Sequence, residues 1–435
     1  MTALLLRGRL LSFKRMPEAA DDHASYRYED DGGLLIENGI ITQFGSYASV
    51  KVRAPEACET IDHRPHLIMP GFIDPHIHFP QMQVVGSYAG ALMEWLNTYT
   101  FVEEQRFDDE LHATRIAGRF FDELIRHGTT TAAAYCSVHR VSADCFFAEA
   151  TRRNMRMIGG KVMMDRNAPD ALTDTPQSSY DDTQHVIDRW HDRSRCHVAI
   201  TPRFAITSSP EQLEMAQALA QENPKLHIQT HLSENHEEIA FATSLYPIAR
   251  DYTDIYAHYG LLSDRTLLGH AIHLSEREIA TLAETGAVAV SCPTSNLFLG
   301  SGLFDLAGLE AEDVRVAYAT DIGGGTSYSM LRTMDEAYKV QQLRGHRLTP
   351  LKSAWHMTLG NARALSLENH IGTLEEGTDA DLVVLDAAAT PAMALKMERV
   401  TTLSEELFLL QTLGDDRAVV EVYVAGKPSK RTLEH

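Results

Sequence analysis

Leu226-His227-Ile228-Gln229-Thr230-His231 is a short β-like run that ends on a side chain able to do chemistry, and the same design returns twice downstream. Leu267-Leu268-Gly269 leads to His270, and Val316-Ala317-Tyr318-Ala319-Thr320 leads to Asp321. Other apolar β runs occupy residues 156–164, 198–200 and 287–290, with amphipathic helical stretches between them. Strands that alternate with helices pair in parallel through right-handed crossovers. Covered on both faces, such strands read as near-continuous apolar runs. Length and repetition favour a (β/α)8 TIM barrel over a doubly wound sheet. The polar residues decide it, because they gather at the C-terminal strand ends, where barrel active sites form.

Working outward, both flanks read as β structure. Met1 to Phe13 contains one strand, the segment 33–45 reads as a hairpin, and 377–386 and 419–427 read as turn-plus-strand units. The expected organisation is an α/β protein with a small β-sandwich domain formed from both termini, 1–67 with 370–435. The barrel occupies 68–369. In a chain of 435 residues, 44% hydrophobic and 23% charged residues allow a large core. A net charge of -21 argues against nucleic acid or an anionic membrane as partner, since phosphate contact needs clustered Lys and Arg. An uncharged heterocycle is not excluded. Cys58, Cys136, Cys145, Cys196 and Cys292 are scattered and include no C-x-x-C pair, as in a reduced, cytoplasmic protein. The N-terminal run reads as a strand rather than a signal peptide, and no apolar stretch is long enough to span a bilayer.

The strongest local signal is Pro70-Gly71-Phe72-Ile73-Asp74-Pro75-His76-Ile77-His78. Residues two apart on a strand share a face, so His76 and His78 can offer imidazoles to one ion of the Zn²⁺ type. With 21 histidines in the chain, one H-x-H pair decides little. The rim of a barrel adds His231, His270 and Asp321, and the set makes a catalytic metal site with room for water. His227 reads as a core histidine, His273 as a supporting one, and His236 as part of a solvated helix start. Lys161 has two readings: a carboxylated lysine bridging two metals, or a structural lysine. One metal is favoured, because His231-Leu232-Ser233-Glu234 already brings a proton-handling carboxyl. Gly323-Gly324-Gly325 is not a phosphate loop, since no Gly-Lys-Ser/Thr follows.

The Pro70–His78 segment, His231-Leu232-Ser233-Glu234, Gly269-His270, Thr320-Asp321 and Gly377-Thr378-Asp379-Ala380-Asp381-Leu382 together resemble the one-metal deaminase branch of the amidohydrolase superfamily. The resemblance implies His76, His78, His231 and Asp321 as ligands of one Zn²⁺ or Fe²⁺ per chain. It implies His270 beside the ion, contacting it or orienting water and substrate, and Glu234 as acid and base. Narrower segments resemble the guanine deaminase family: His78-Phe79-Pro80-Gln81, 92–101, 128–131, 160–165, Thr201-Pro202-Arg203-Phe204-Ala205 and 291–297. In that family the counterparts of Gln81, Arg203 and Phe204 hold the purine, and the protein is a homodimer.

Gln81 can give and accept hydrogen bonds, Arg203 has a fixed fork suited to the six-position carbonyl, and Phe204 can pack on a flat ring. The implied reaction is attack of water at C2 of guanine, with Asp321 taking or orienting the water's proton. Glu234 protonates the neighbouring ring nitrogen. Two other readings compete: a deaminase acting on cytosine, S-adenosylhomocysteine or a triazine, and a non-catalytic assembly protein with this fold. The second should have lost ligands, and every one is present. Trp95 and its neighbours read as a lid or a subunit contact.

Overall fold

The computed structural model describes residues 3–88 and 92–433, so Met1 and Thr2 of the expected first strand lie outside the described residues. Four strands come first: β1 (Ala3–Phe13), β2 (Tyr26–Glu37), β3 (Ile40–Ser46) and β4 (Glu59–Pro70). The barrel follows with β5 (Phe72–His78), β6 (Thr129–Tyr135), β7 (Arg156–Gly160), β8 (Val162–Met163) and β9 (Cys196–Pro202). It continues with β10 (His227–Leu232), β11 (Thr266–His270), β12 (Val288–Ser291) and β13 (Arg315–Tyr318). Three strands, β14 (Leu382–Leu385), β15 (Val419–Val424) and β16 (Lys427–Pro428), return to the first group.

The barrel path runs β5-β6-β7-β9-β10-β11-β12-β13, all pairings parallel, with β8 pairing β9 beyond an interruption at Lys161. The seam between β5 and β13 is sewn partly by a side chain. Asn361 Nδ2 donates to the carbonyls of Ile73 and Tyr318, both at 2.8 Å, and its Oδ1 accepts from Tyr318 N–H at 3.2 Å. Nearer the rim, Asp321 N–H donates to His76 O (2.9 Å) and His78 N–H to Ile322 O (2.6 Å).

The outer helices bury one stripe each. The helix Glu110–Arg126 hides Ala113, Ile116, Ala117, Phe120, Phe121 and Leu124, at three- and four-residue spacing. Asp109 caps its start by accepting from Leu111 N–H (2.9 Å), and Arg126 closes its last turn. Phe120 packs edge-on against Phe79, just past β5, so this helix braces the strand that carries the H-x-H pair. Phe120→Ala would cost roughly 3–5 kcal/mol.

The terminal strands form a second sheet in the order β16-β15-β14-β4-β1-β2-β3. Its two arms curl toward one another. Ala380 N–H bonds Gly39 O (2.8 Å) and Ile41 N–H bonds Thr378 O (2.9 Å). Leu6, Leu34, Ile36, Ile68, Leu382 and Val384 fill the core between the arms. Alternate residues Leu67, Met69, Val383 and Leu385 point the other way and join the barrel's core. Period-two alternation therefore makes β4 and β14 a wall shared by both cores. It also fixes where β5 begins: Gly71 N–H bonds Asp381 O (2.8 Å), and a Cβ at Gly71 would stand 2.2 Å from Thr130 Oγ1. Among the described residues no helix is long and apolar enough to cross a membrane.

Candidate active site

The strand ends converge as the alternation of polar residues predicts. His76 and His78 project from β5, His231 from β10, His270 from the end of β11, and Asp321 from three residues past β13. Ligand atoms of His76, His231, His270 and Asp321 all lie within 4.8 Å of one another. His78 Nε2 completes the group, 3.2 Å from Asp321 Oδ1 and 3.2 Å from His231 Nε2. His76 Nε2 is 3.3 Å from Asp321 Oδ1, and His270 Nε2 is 3.8 Å from Asp321 Oδ2. His270 and Asp321 adopt left-handed backbone, φ +71° and +51°. Side chains with a Cβ rarely accept that conformation, and it recurs at functional sites.

Whether these residues suit a cation depends on where their protons are. His231 Nδ1–H donates to Arg203 O (2.7 Å) and His270 Nδ1–H to Asn296 Oδ1 (2.8 Å), so each ring turns its Nε2 toward the centre. Both ring nitrogens of His76 and Nδ1 of His78 are buried without a hydrogen-bond partner. Burial pushes His76 down to about 4 and, with the neighbouring imidazoles, holds His231 well below the usual range. Burial alone would raise Asp321. The imidazoles of His76, His78 and His270 packed around it instead hold it well below the ordinary carboxylate range. Burial keeps His76, His78 and His231 neutral, and with an ionised Asp321 they fit a divalent cation. Burial alone would lower His270 too, but the nearby carboxylates of Glu234 and Asp321 raise it.

Beneath this group sits Asp74, a residue of the Pro70–His78 motif to which no role was given in the sequence reading. It accepts from Thr320 N–H (3.1 Å), Thr320 Oγ1–H and His76 N–H (3.3 Å), fastening β5 to the segment that carries Asp321. Burial pushes it up to about 7.

Glu234 follows β10 and is 3% exposed. Its Oε1 accepts from Ser301 Oγ–H (2.7 Å), and its Oε2 lies 3.5 Å from His270 Nε2. Burial raises its pKa. The helix behind it, His236–Leu245, starts on an Asn235 cap, and its Glu238 accepts from Glu234 N–H (2.7 Å). Lys161, fully buried, donates to Asp174 Oδ2 (2.5 Å) and Val162 O (3.2 Å), as a structural lysine would. His227 bonds Leu365 O (2.9 Å) away from the rim, as a core histidine would. His236 and His273 pack against one another with tilted rings, 4.1 Å between ring centres.

A pocket opens directly over the metal group, a concave setting of the kind in which small molecules bind. Trp95, Leu96 and Phe204 make its apolar wall, and Trp95 is 2% exposed. Gln81 and Arg203 line it as well, joined by a carboxylate that the sequence reading missed. Glu104 Oε1 accepts from Gln81 Nε2 (2.8 Å), and its Oε2 accepts from Arg203 Nη1 (2.6 Å). Gln81 Oε1 in turn accepts from Gly323 N–H (3.1 Å), so its amide orientation is fixed. Glu104 lies three residues past the 92–101 segment, in a helical stretch with no period or motif to mark it. Gly324 also lines the pocket, and a Cβ there would stand 2.6 Å from Ser295 Oγ.

Among the described residues a second ligand-type cluster, His191, Asp192 and His197, sits at the opposite end of the barrel. His191 Nδ1 accepts from Val198 N–H (3.2 Å) and His197 Nε2 from Arg156 Nη1 (3.2 Å). The nitrogens facing Asp192 are therefore N–H donors.

The Amidohydrolase family profile matches residues 67–428. Guanine deaminase of Escherichia coli (strain K12) is 45% identical over 427 residues, 98% of this chain and 97% of that protein. The solved structure of E. coli guanine deaminase superposes with a TM-score of 0.96 at 44% identity, covering 99% of each chain. The structure of guanine deaminase from C. acetobutylicum with bound guanine in the active site gives 0.87 at 30% identity, covering 98% of this chain and 100% of that one. With a His/Asp metal group at the mouth of a parallel barrel, this chain belongs to the amidohydrolase family. Within that family, proteins named guanine deaminase match it over nearly its full length at 30–45% identity.

Proposed function

We propose that the protein hydrolyses guanine to xanthine and ammonia. The observation that carries this reading is the pairing of two walls around one pocket. One wall is the His/Asp group with Glu234, and the other is the Gln81–Glu104–Arg203 cluster, whose polar atoms suit the edge of a purine. Full-length similarity to guanine deaminases supports it. Our reading takes His76, His78, His231, His270 and Asp321 around one Zn²⁺, with Fe²⁺ as the other candidate. A divalent ion held there would lower the pKa of a bound water from about 15.7 to about 7.

The chain's own residues do the rest. Asp321 accepts or orients the proton of the attacking water. Glu234, raised by burial, is placed to deliver a proton to the ring nitrogen beside C2, making that carbon electrophilic. It then helps pass a proton to the departing amine. His270 stands between the two carboxylates and steers water and substrate. Arg203 donates to the six-position carbonyl, Gln81 pairs with the purine edge, and Phe204 packs on the ring. A competitor lacking the carbonyl leaves buried polar groups unpaired, which is how such sites discriminate. The same reading has residues 1–67 with 370–435 as one domain and 68–369 as the other, in a cytoplasmic homodimer.

Incubating the metal-loaded protein with guanine, cytosine and an aminotriazine tests the substrate directly. Xanthine and ammonia should appear from guanine alone. Preferred ammonia release from either of the others would overturn the assignment.

A further inference from the structure

The segment Ser291-Cys292-Pro293-Thr294-Ser295-Asn296-Leu297 runs from the end of β12 beside the rim. Its helix, Pro293–Phe298, begins just past β12 and ends in a turn through Gly300, φ +70°, and Gly302, φ +145°. Two side chains from this turn reach the reactive group. Asn296 Oδ1 accepts from His270 Nδ1 at 2.8 Å, and Ser301 Oγ donates to Glu234 Oε1 at 2.7 Å. Both residues are buried, 1% and 6% exposed. Ser301 N–H donates to Asn296 O (2.8 Å), so the two points of attachment hold each other. From outside, His273 Nε2–H donates to Ser301 O (2.8 Å), and its ring lies against Gly302, where a Cβ would come within 3.1 Å of it.

We propose that the turn from Asn296 to Ser301 is a two-pronged positioning element, with Ser301 assigning proton transfer to one oxygen of Glu234 and His273 bracing the turn. A carboxylate has two near-equivalent oxygens. With Oε1 engaged by the serine hydroxyl, Oε2 is the oxygen left to carry the mobile proton, on the side of His270. Asn296 fixes the imidazole that Oε2 faces. Because both partners are held from one turn, their spacing of 3.5 Å is set by that turn rather than by two separate supports. Asn296 and Ser301 are positioning residues, and His273 acts one bond further out through the Ser301 carbonyl. The inference rests on Glu234 being the proton carrier of the proposed reaction.

Ser301→Ala should lower kcat on guanine about tenfold or more, with KM within about threefold of the parent and metal content unchanged. Ser301→Thr, which keeps the hydroxyl, should recover most of the rate. His273→Ala should lower kcat less, and should add little in the Ser301→Ala background, because both act through one bond. A crystal structure of metal-loaded Ser301→Ala should show the Glu234 carboxyl rotated out of line with His270. Parent-like kcat in Ser301→Ala, a change in KM alone, or full multiplication of the two losses would overturn the proposal. If the parent does not act on guanine, the functional reading fails by itself. The crystal structure still decides this inference, since an unmoved Glu234 would end it.

Discussion

Two histidine clusters, at opposite ends of one barrel, are built from the same residue types and do opposite things. At the rim, His231 and His270 spend their Nδ1 protons on Arg203 O and Asn296 Oδ1 and turn their Nε2 atoms inward. At the base, His191 and His197 accept bonds from Val198 N–H and Arg156, and so turn protons inward on Asp192. The base is closed to a cation by its tautomers. What lies behind each ring decides whether a His/Asp group is a metal site, and ligand composition alone does not.

The largest effect should separate the clusters outright. His231→Ala should strip the ion and abolish turnover, while His197→Gln leaves metal per chain and rate close to parental. Elemental analysis of both variants checks this, and metal lost from His197→Gln would break the comparison. Next, Glu234→Gln should lower kcat by about 10²–10⁴ with the ion retained. That result would separate holding the ion from moving the proton.

On the facing wall, Arg203→Ala should raise the guanine KM by about ten- to a hundredfold. It also leaves Glu104 as an unpaired buried charge, which costs about 3–5 kcal/mol of stability. Glu104→Gln should raise KM about tenfold, because it frees the Gln81 amide and weakens the hold on Arg203. Steady-state kinetics with melting curves distinguish the two effects, and an unchanged KM in both would remove this wall from substrate recognition.

The smallest effect concerns histidines outside both clusters. Burial drives His356 down to about 3 and His227 to about 4, so the fold keeps them neutral where an unfolded chain would protonate them below about 6.5. Stability from each is complete above that pH. It falls by about 1.4 kcal/mol per unit as pH drops toward the folded value. His356→Phe should flatten the decline in melting temperature between pH 6.5 and 4.5, and an unaltered slope would show that His356 is not a source of it.

The rim was legible because strand period and barrel convergence act on local sequence: a β run ending in His231 predicts where that histidine goes. The terminal sheet was legible for the same reason, since its alternation survives in Leu67, Ile68 and Met69. Glu104 and Ser301 were not legible. Each works through side-chain bonds to residues distant in sequence, Glu104 to Arg203 99 residues away and Ser301 to Glu234 67 residues away, and no period carries such a pairing. Asp74 stood inside a motif that was read, yet its task became visible only when β13 was brought beside β5. The structural reading of Lys161 was already favoured by the sequence, but its partner Asp174 is 13 residues away and carried no signal of its own.

The barrel's seam bears on how the protein keeps its cation. His76 and Asp321 supply, besides their side chains, the amide and carbonyl that join the first staves of the ring to the last. An ion gripped by both side chains, as proposed, would therefore act as a clasp on the hoop. On the proposed ligation, parting the seam would loosen the grip and emptying the site would slacken the hoop, so retention of the ion and integrity of the ring would be coupled.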